Sequence, residues 1–107
     1  MRAALIQLTS SDDPVANLPI LQGYIADAAK AGATFILTPE VTNCVSMSRT
    51  HQNAVFETWR GNSFISAVQQ HAKHLGLWVM LGSIALKADD ATHGNAIVFG
   101  EGSANPD

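Results

Sequence analysis

The order of apolar and polar positions divides the chain into short, distinct segments. Arg2 to Leu8 is a brief apolar run that stops at Thr9-Ser10-Ser11-Asp12-Asp13, and it reads as a buried strand followed by a loop. Asp13-Pro14 is a helix start, because Asp can cap the first turn and Pro suits the first helical position. Leu18, Leu21, Ile25, Ala28 and Ala29 follow at helical spacing, and Gly32 stops the pattern. Thr34 to Thr38 reads as a second strand that Pro39 ends. Val41 to Arg60 is mixed, with a helix expected over Thr50 to Trp59. Phe64, Val68, Ala72 and Leu75 mark another amphipathic helix ending at Gly76. Leu77 to Leu86 is a long apolar run suited to a central strand buried on both faces. A polar turn, Lys87 to Gly94, leads to a final strand, Asn95 to Phe99. The element order is β-α-β-(α)-α-β-β, an α/β pattern with its first strands parallel and a hairpin-like pair at the end.

Composition narrows the picture without supplying a function. The 107 residues are 47% hydrophobic and 14% charged, which is globular rather than disordered. A net charge of −3 with no basic cluster leaves nucleic-acid binding no electrostatic footprint. The N-terminal apolar run breaks too early for a signal peptide, and no stretch approaches the ~18 residues of a membrane helix. Cys44 is the single cysteine, so no intrachain disulfide forms. Together these give the expectation of a soluble, cytoplasmic protein that binds neither nucleic acid nor membrane. Strands apolar on both faces, with two or three helices to cover them, imply that the fold needs further protein around it.

Thr38-Pro39-Glu40 carries the most chemistry. It sets a carboxylate just past the C-terminal end of a buried strand, the edge where open α/β sheets bind ligands. Partial burial there would raise the acid's pKa and suit it to general-base work. By spacing alone, a Glu after a strand is more often a solvated loop residue or a helix cap.

Several segments in order resemble the nitrilase superfamily of carbon–nitrogen hydrolases. They are Gln7-Leu8-Thr9-Ser10, Ala28-Ala29-Lys30-Ala31-Gly32-Ala33, and the strand into Leu37-Thr38-Pro39-Glu40. His71 to Val79, then Leu81-Gly82-Ser83-Ile84 and Asn95 to Phe99, continue the match across most of residues 3–99. The resemblance implies the N-terminal part of a nitrilase-type α-β-β-α sandwich, with residues 1–99 as a partial hydrolase domain and 100–107 as an irregular tail. It is greatest to small-molecule amidases acting on ω-amides or deaminated glutathione. The superfamily works through a Glu-Lys-Cys triad, and Glu40 stands at the position of its Glu. No residue here matches the Lys or the Cys. The expected full-length enzyme takes a small amide substrate, needs no cofactor, and forms a homo-oligomer. The alternative is a truncated, inactive domain serving at most as an interaction or structural module.

Other chemistry-bearing residues have plainer readings. Cys44 is expected to be a small buried hydrophobe. Lys87 precedes the Asn95 strand, out of order for the triad Lys. His71 and His74 could share a metal by spacing, but no third ligand lies near. Trp59 and Trp78 read as packing residues, Trp78 within a core strand. Ser83 is not in a Gly-x-Ser-x-Gly elbow. Asn43 and Arg49 read as surface-loop residues that could line a pocket.

Overall fold

The computed structural model describes residues 1–87 and the backbone of residues 97–104. Within them, β1 (Ala3–Leu5), α1 (Pro14–Lys30), β2 (Phe35–Leu37), α2 (Arg49–Val55), α3 (Ser63–Leu75), β3 (Trp78–Lys87) and β4 (Ile97–Ala104) follow in that order. The sheet order is β1-β2-β3-β4. The first three strands are parallel and β4 is antiparallel to β3. This is the α/β arrangement that the alternation of periods implies. Residues 88–96, which hold most of the expected polar turn and the first two residues of the expected last strand, lie outside the described residues. β4 runs on past Gly100 to Ala104, through residues that sequence composition assigns to an irregular tail.

Helix boundaries follow from capping chemistry. The Asp13 carboxylate accepts from the Val15 and Ala16 amides, and Pro14 occupies the first turn. Asn62 caps α3 by accepting from the Ile65 amide. Gly76 ends α3 at φ 69°, a conformation that costs glycine little. α2 is shorter than expected, seven residues capped by Ser48.

The larger core lies on one side of the sheet. Leu21 and Ile25 of α1 and Phe64, Ile65, Val68 and Ala72 of α3 pack on Ile36, Val79, Leu81, Ile84 and Leu86. The other face is open over the first half of β3, which departs there from the expectation of a strand buried on both sides; towards its end Ile84, Ala85 and Leu86 are all buried, with Ala85 packed on Cys44 and Phe56. β3 begins by alternating, with Val79 and Leu81 buried while Trp78 and Met80 are 46% and 45% exposed. The register puts Ala3, Phe35 and Trp78 in one row across the sheet and Leu5, Leu37 and Met80 in the next. β1 is likewise not a buried strand: Leu5 is 78% exposed, because β1 is the edge of the described sheet and no described residue covers its outer face. Among the described residues both helices of the core layer pack on the opposite face.

Candidate active site

Glu40 lies at the carboxyl edge of the parallel sheet, three residues past the end of β2. Its side chain is exposed. That departs from the partial burial expected of it: the turn projects beyond the strand end, where no described residue covers it.

The backbone around Glu40 is held far more tightly than its exposed side chain. β2 stops at Leu37, but β3 continues to Lys87 and leaves backbone groups on that side to be satisfied. The 38–43 segment satisfies them one after another. The Thr38 amide donates to the Met80 carbonyl at 3.0 Å, and the Gly82 amide donates to Thr38 Oγ1 at 3.2 Å. The Val41 amide donates to Ser83 Oγ at 2.9 Å, and the Thr42 amide to the Ser83 carbonyl at 3.0 Å. Asn43 then imitates a peptide group: its Oδ1 accepts from the Ala85 amide at 2.8 Å and its Nδ2 donates to the Ala85 carbonyl at 2.9 Å. The loop thus behaves as a strand made partly of side chains.

Two further contacts lock it. Thr38 Oγ1 and Thr42 Oγ1 are 2.8 Å apart, and the Thr42 hydroxyl donates to the Pro39 carbonyl at 2.6 Å, closing a small ring beneath Glu40. Both threonines are buried. Gly82 allows the close approach. A Cβ there would meet the Thr38 carbonyl oxygen at 2.5 Å and the Pro39 carbonyl oxygen at 2.6 Å. Gly82 and Ser83 also lie where the β3–β4 register shifts, between Leu81 and Ile84.

Val41, the residue after Glu40, has φ 49°. A β-branched residue in this left-handed region stores on the order of 1–3 kcal/mol of strain. Its side chain packs against Cys44, Phe56 and Ala85, a small second core under the loop.

α1 is tied to the same loop through Asn17, a buried polar residue in the helix stripe. Its Nδ2 donates to the Ser11 and Asn43 carbonyls, both at 2.9 Å, and its Oδ1 accepts from the Ser11 amide and hydroxyl. Ser10 Oγ donates to the Thr42 carbonyl at 2.6 Å. Sequence reasoning passed over Asn17, although its place at i with Leu21 and Ile25 at i+4 and i+8 marks it as facing the core. It also put Asn43 on a surface loop. Asn43 is 5% exposed, because its amide completes the edge of β3.

Cys44 is buried, and its thiol donates to the Asp12 carbonyl at 3.2 Å. Burial, then the Asp12 and Asp13 charges, push that thiol up, so its thiolate is disfavoured. Lys87 ends β3, and its amide donates to the Glu57 carbonyl. Burial, then His74, hold the His71 imidazole below its ordinary value, and no metal-holding group of His, Cys, Asp and Glu exists among the described residues. Trp59 is 52% exposed and Arg49 opens α2 on the surface, so neither is a core residue; Trp78 lies on the uncovered face. A groove of about 400 Å³ opens between α1, α2 and the start of α3, lined by Val15, Leu18, Val55 and Phe64, with Asp13 and Glu57 among its polar residues. Glu40 is not part of it.

The comparison that decides the family spans almost the whole chain: the carbon–nitrogen hydrolase family model matches residues 2–105. The chain belongs to the carbon–nitrogen hydrolase family. A hydrolase of Mycobacterium tuberculosis is 34% identical over 105 residues, which are 98% of this chain and 36% of the relative. The chain therefore spans about a third of the length of the curated relatives it matches. In solved structures the fold is that of the nitrilase superfamily. Saccharomyces cerevisiae Nit3, a member of branch 10 of the superfamily, superposes with TM-score 0.77 at 21% identity, covering 97% of this chain and 39% of that one. An amidase from Nesterenkonia sp. gives 0.68 at 22% identity, covering 98% and 42%. The observed sheet and its helix layer are thus part of a nitrilase-type carbon–nitrogen hydrolase fold. No described helix is long and apolar enough to cross a membrane.

Proposed function

We propose that this carbon–nitrogen hydrolase chain supplies the general base, Glu40, of an amidase that hydrolyses a small non-peptide amide. The observation that carries the reading is the placement of Glu40: a carboxylate at the carboxyl edge of a parallel sheet, on a turn fixed to β3 at Met80, Ser83 and Ala85. Rigid support of a reacting group is what catalysis by positioning requires.

In the proposed reaction a Glu40 carboxylate oxygen takes the proton of a cysteine thiol. The thiolate attacks the amide carbon, while a lysine stabilises the charge that develops on the carbonyl oxygen. The C–N bond breaks, the leaving nitrogen takes the proton from Glu40, and ammonia departs. Water then gives a proton to Glu40 and attacks the thioester, returning the thiol and releasing the acid. No metal or nucleotide enters these steps. Cys44, the single cysteine of this sequence, is buried and its thiolate is disfavoured, so the nucleophile belongs to polypeptide outside these 107 residues. The triad lysine is assigned to the same polypeptide, because Lys87 closes β3 as a strand residue. An ω-amide or a deaminated-glutathione-like amide is the proposed substrate, and a cytoplasmic homo-oligomer the proposed form. The M. tuberculosis relative, named as a hydrolase, and the Nesterenkonia amidase accord with this class.

The burial of Cys44 also favours a second reading, in which these 107 residues by themselves are a catalytically inactive module. One experiment separates the two. The protein extended along its reading frame to its relatives' length should release ammonia from glutaramate-type amides, and Glu40→Gln should lower the rate by at least ~10²-fold. Activity unchanged by Glu40→Gln would refute the role of Glu40. Glu40-dependent release by the 107-residue chain alone would refute the inactive-module reading.

A further inference from the structure

We propose that Ser83 is a positioning residue for Glu40, acting by holding the strained residue that follows it. This rests on the reading of Glu40 as the general base, but its physical content can be tested without turnover.

Ser83 grips two successive amides, those of Val41 and Thr42, through two different groups. Its hydroxyl oxygen accepts from Val41 and its backbone carbonyl from Thr42. The Thr42 bond survives any substitution at position 83, whereas the Val41 bond depends on the hydroxyl. Val41 is also the one non-glycine residue with positive φ among those described. Its left-handed backbone is therefore maintained by two things, the Ser83 hydroxyl on its amide and the packing of its side chain on Cys44, Phe56 and Ala85.

The segment that can respond to losing that hydroxyl is short. Upstream, Thr38 is anchored to Met80 by its amide and to Gly82 and Thr42 by its hydroxyl. Downstream, Asn43 is anchored to Ala85 by both ends of its amide and to Asn17 through its carbonyl. Thr42 is pinned as well, its amide donating to the Ser83 carbonyl and its carbonyl accepting from Ser10 Oγ. That leaves Pro39, Glu40 and Val41 to turn, and proline's ring fixes its own φ. A relaxation of Val41 towards negative φ must then be taken up at Glu40, as a change in the direction of its Cα–Cβ bond. Because the Glu40 side chain is exposed and has no packing to resist, its aim is set by its backbone. The hydroxyl of Ser83, half-buried on β3, is thus the group that converts a strained turn into a fixed carboxylate direction.

The test uses the 107-residue chain and nuclear magnetic resonance. Ser83→Ala should speed exchange of the Val41 amide at least tenfold and shift the Glu40 backbone and Cγ resonances. The core amides of Ile36 and Val79 should keep their exchange rates. Ser83→Thr, which retains a hydroxyl, should keep Val41 exchange within twofold of the parent. Val41→Gly removes the strain, so on that background Ser83→Ala should leave the Glu40 resonances in place. Unchanged Val41 exchange and Glu40 resonances in a folded Ser83→Ala chain would overturn the proposal. So would equal Glu40 shifts with and without Val41→Gly. Should Ser83→Ala unfold the parent chain, Ser83→Cys, whose thiol is a weak acceptor, carries the same expectations, and unchanged Val41 exchange and Glu40 resonances in that variant would overturn the proposal. Failure of Glu40→Gln to affect turnover would instead refute the catalytic reading and leave these resonance results untouched.

Discussion

Cys44 lies only four positions after Glu40, and the chain gives the two opposite surroundings: Glu40 exposed at the rim of the sheet, Cys44 1% exposed beneath the loop. The pair shows why proximity in sequence is a poor guide to a nucleophile. A thiol attacks as thiolate, and both the burial of Cys44 and the charges of Asp12 and Asp13 work against that form. The sign of the consequence is fixed by linkage. A thiol whose pKa is raised on folding binds its proton more tightly in the native state, so its contribution is complete below the ordinary value of 9.0 and is lost as pH rises beyond it. Denaturant unfolding from pH 7 to 11 should show stability falling above about pH 9, less steeply in Cys44→Ala. Parallel curves for the two proteins would mean that Cys44 does not titrate as its environment implies.

At the scale of elements, the decisive feature is the irregular stretch after β2, which completes the edge of β3 with side chains. Removing the Asn43 amide leaves the Ala85 amide and carbonyl buried and unpaired. Asn43→Ala should therefore cost about 2–4 kcal/mol, as two lost hydrogen bonds with buried orphan partners. Gly82→Ala should cost a comparable amount by another route, since its Cβ would strike the Thr38 and Pro39 carbonyls and push the Glu40 turn off β3. Urea midpoints at constant slope check both, and an Asn43→Ala midpoint equal to the parent's would refute the peptide-mimic role. These devices mark the limit of what the sequence makes legible. Asp13-Pro14, Gly32 and Gly76 announce helix ends through local chemistry, and the structure places them there. The edge position of Glu40 follows from Pro39 ending an apolar run. The partners of Thr38, Asn43 and Ser83 lie about 40 residues away along the chain, and no local pattern encodes those pairings. The exposure of Trp78 is invisible for a similar reason. An apolar run reads the same whether or not something covers its second face.

For the whole molecule, that second face is the main consequence of the fold. Leu5 on β1 and Trp78 and Met80 on β3 expose apolar surface, with Phe35 and Leu37 of β2 between them, and no charge interrupts the rows. Surfaces of this kind drive association when left bare. The 107-residue chain should therefore sediment with concentration-dependent mass, and the pair Trp78→Lys with Met80→Lys should shift it towards monomer without lowering the urea midpoint. Wild-type chain that stays monomeric at ~100 μM, a concentration where weak hydrophobic association is measurable, would contradict that expectation.

In the proposed reaction Glu40 activates a cysteine carried by the rest of a carbon–nitrogen hydrolase. The most direct measurement is acyl-enzyme trapping: the extended protein is mixed with a small amide, quenched in acid, and the cysteine peptides are weighed by mass spectrometry. An acyl adduct should form on a cysteine other than Cys44 in the parent protein and be lost in a folded Glu40→Gln variant. Acylation of Glu40→Gln at the parent rate, or an adduct on Cys44, would rule out Glu40 as the base that activates a distant thiol.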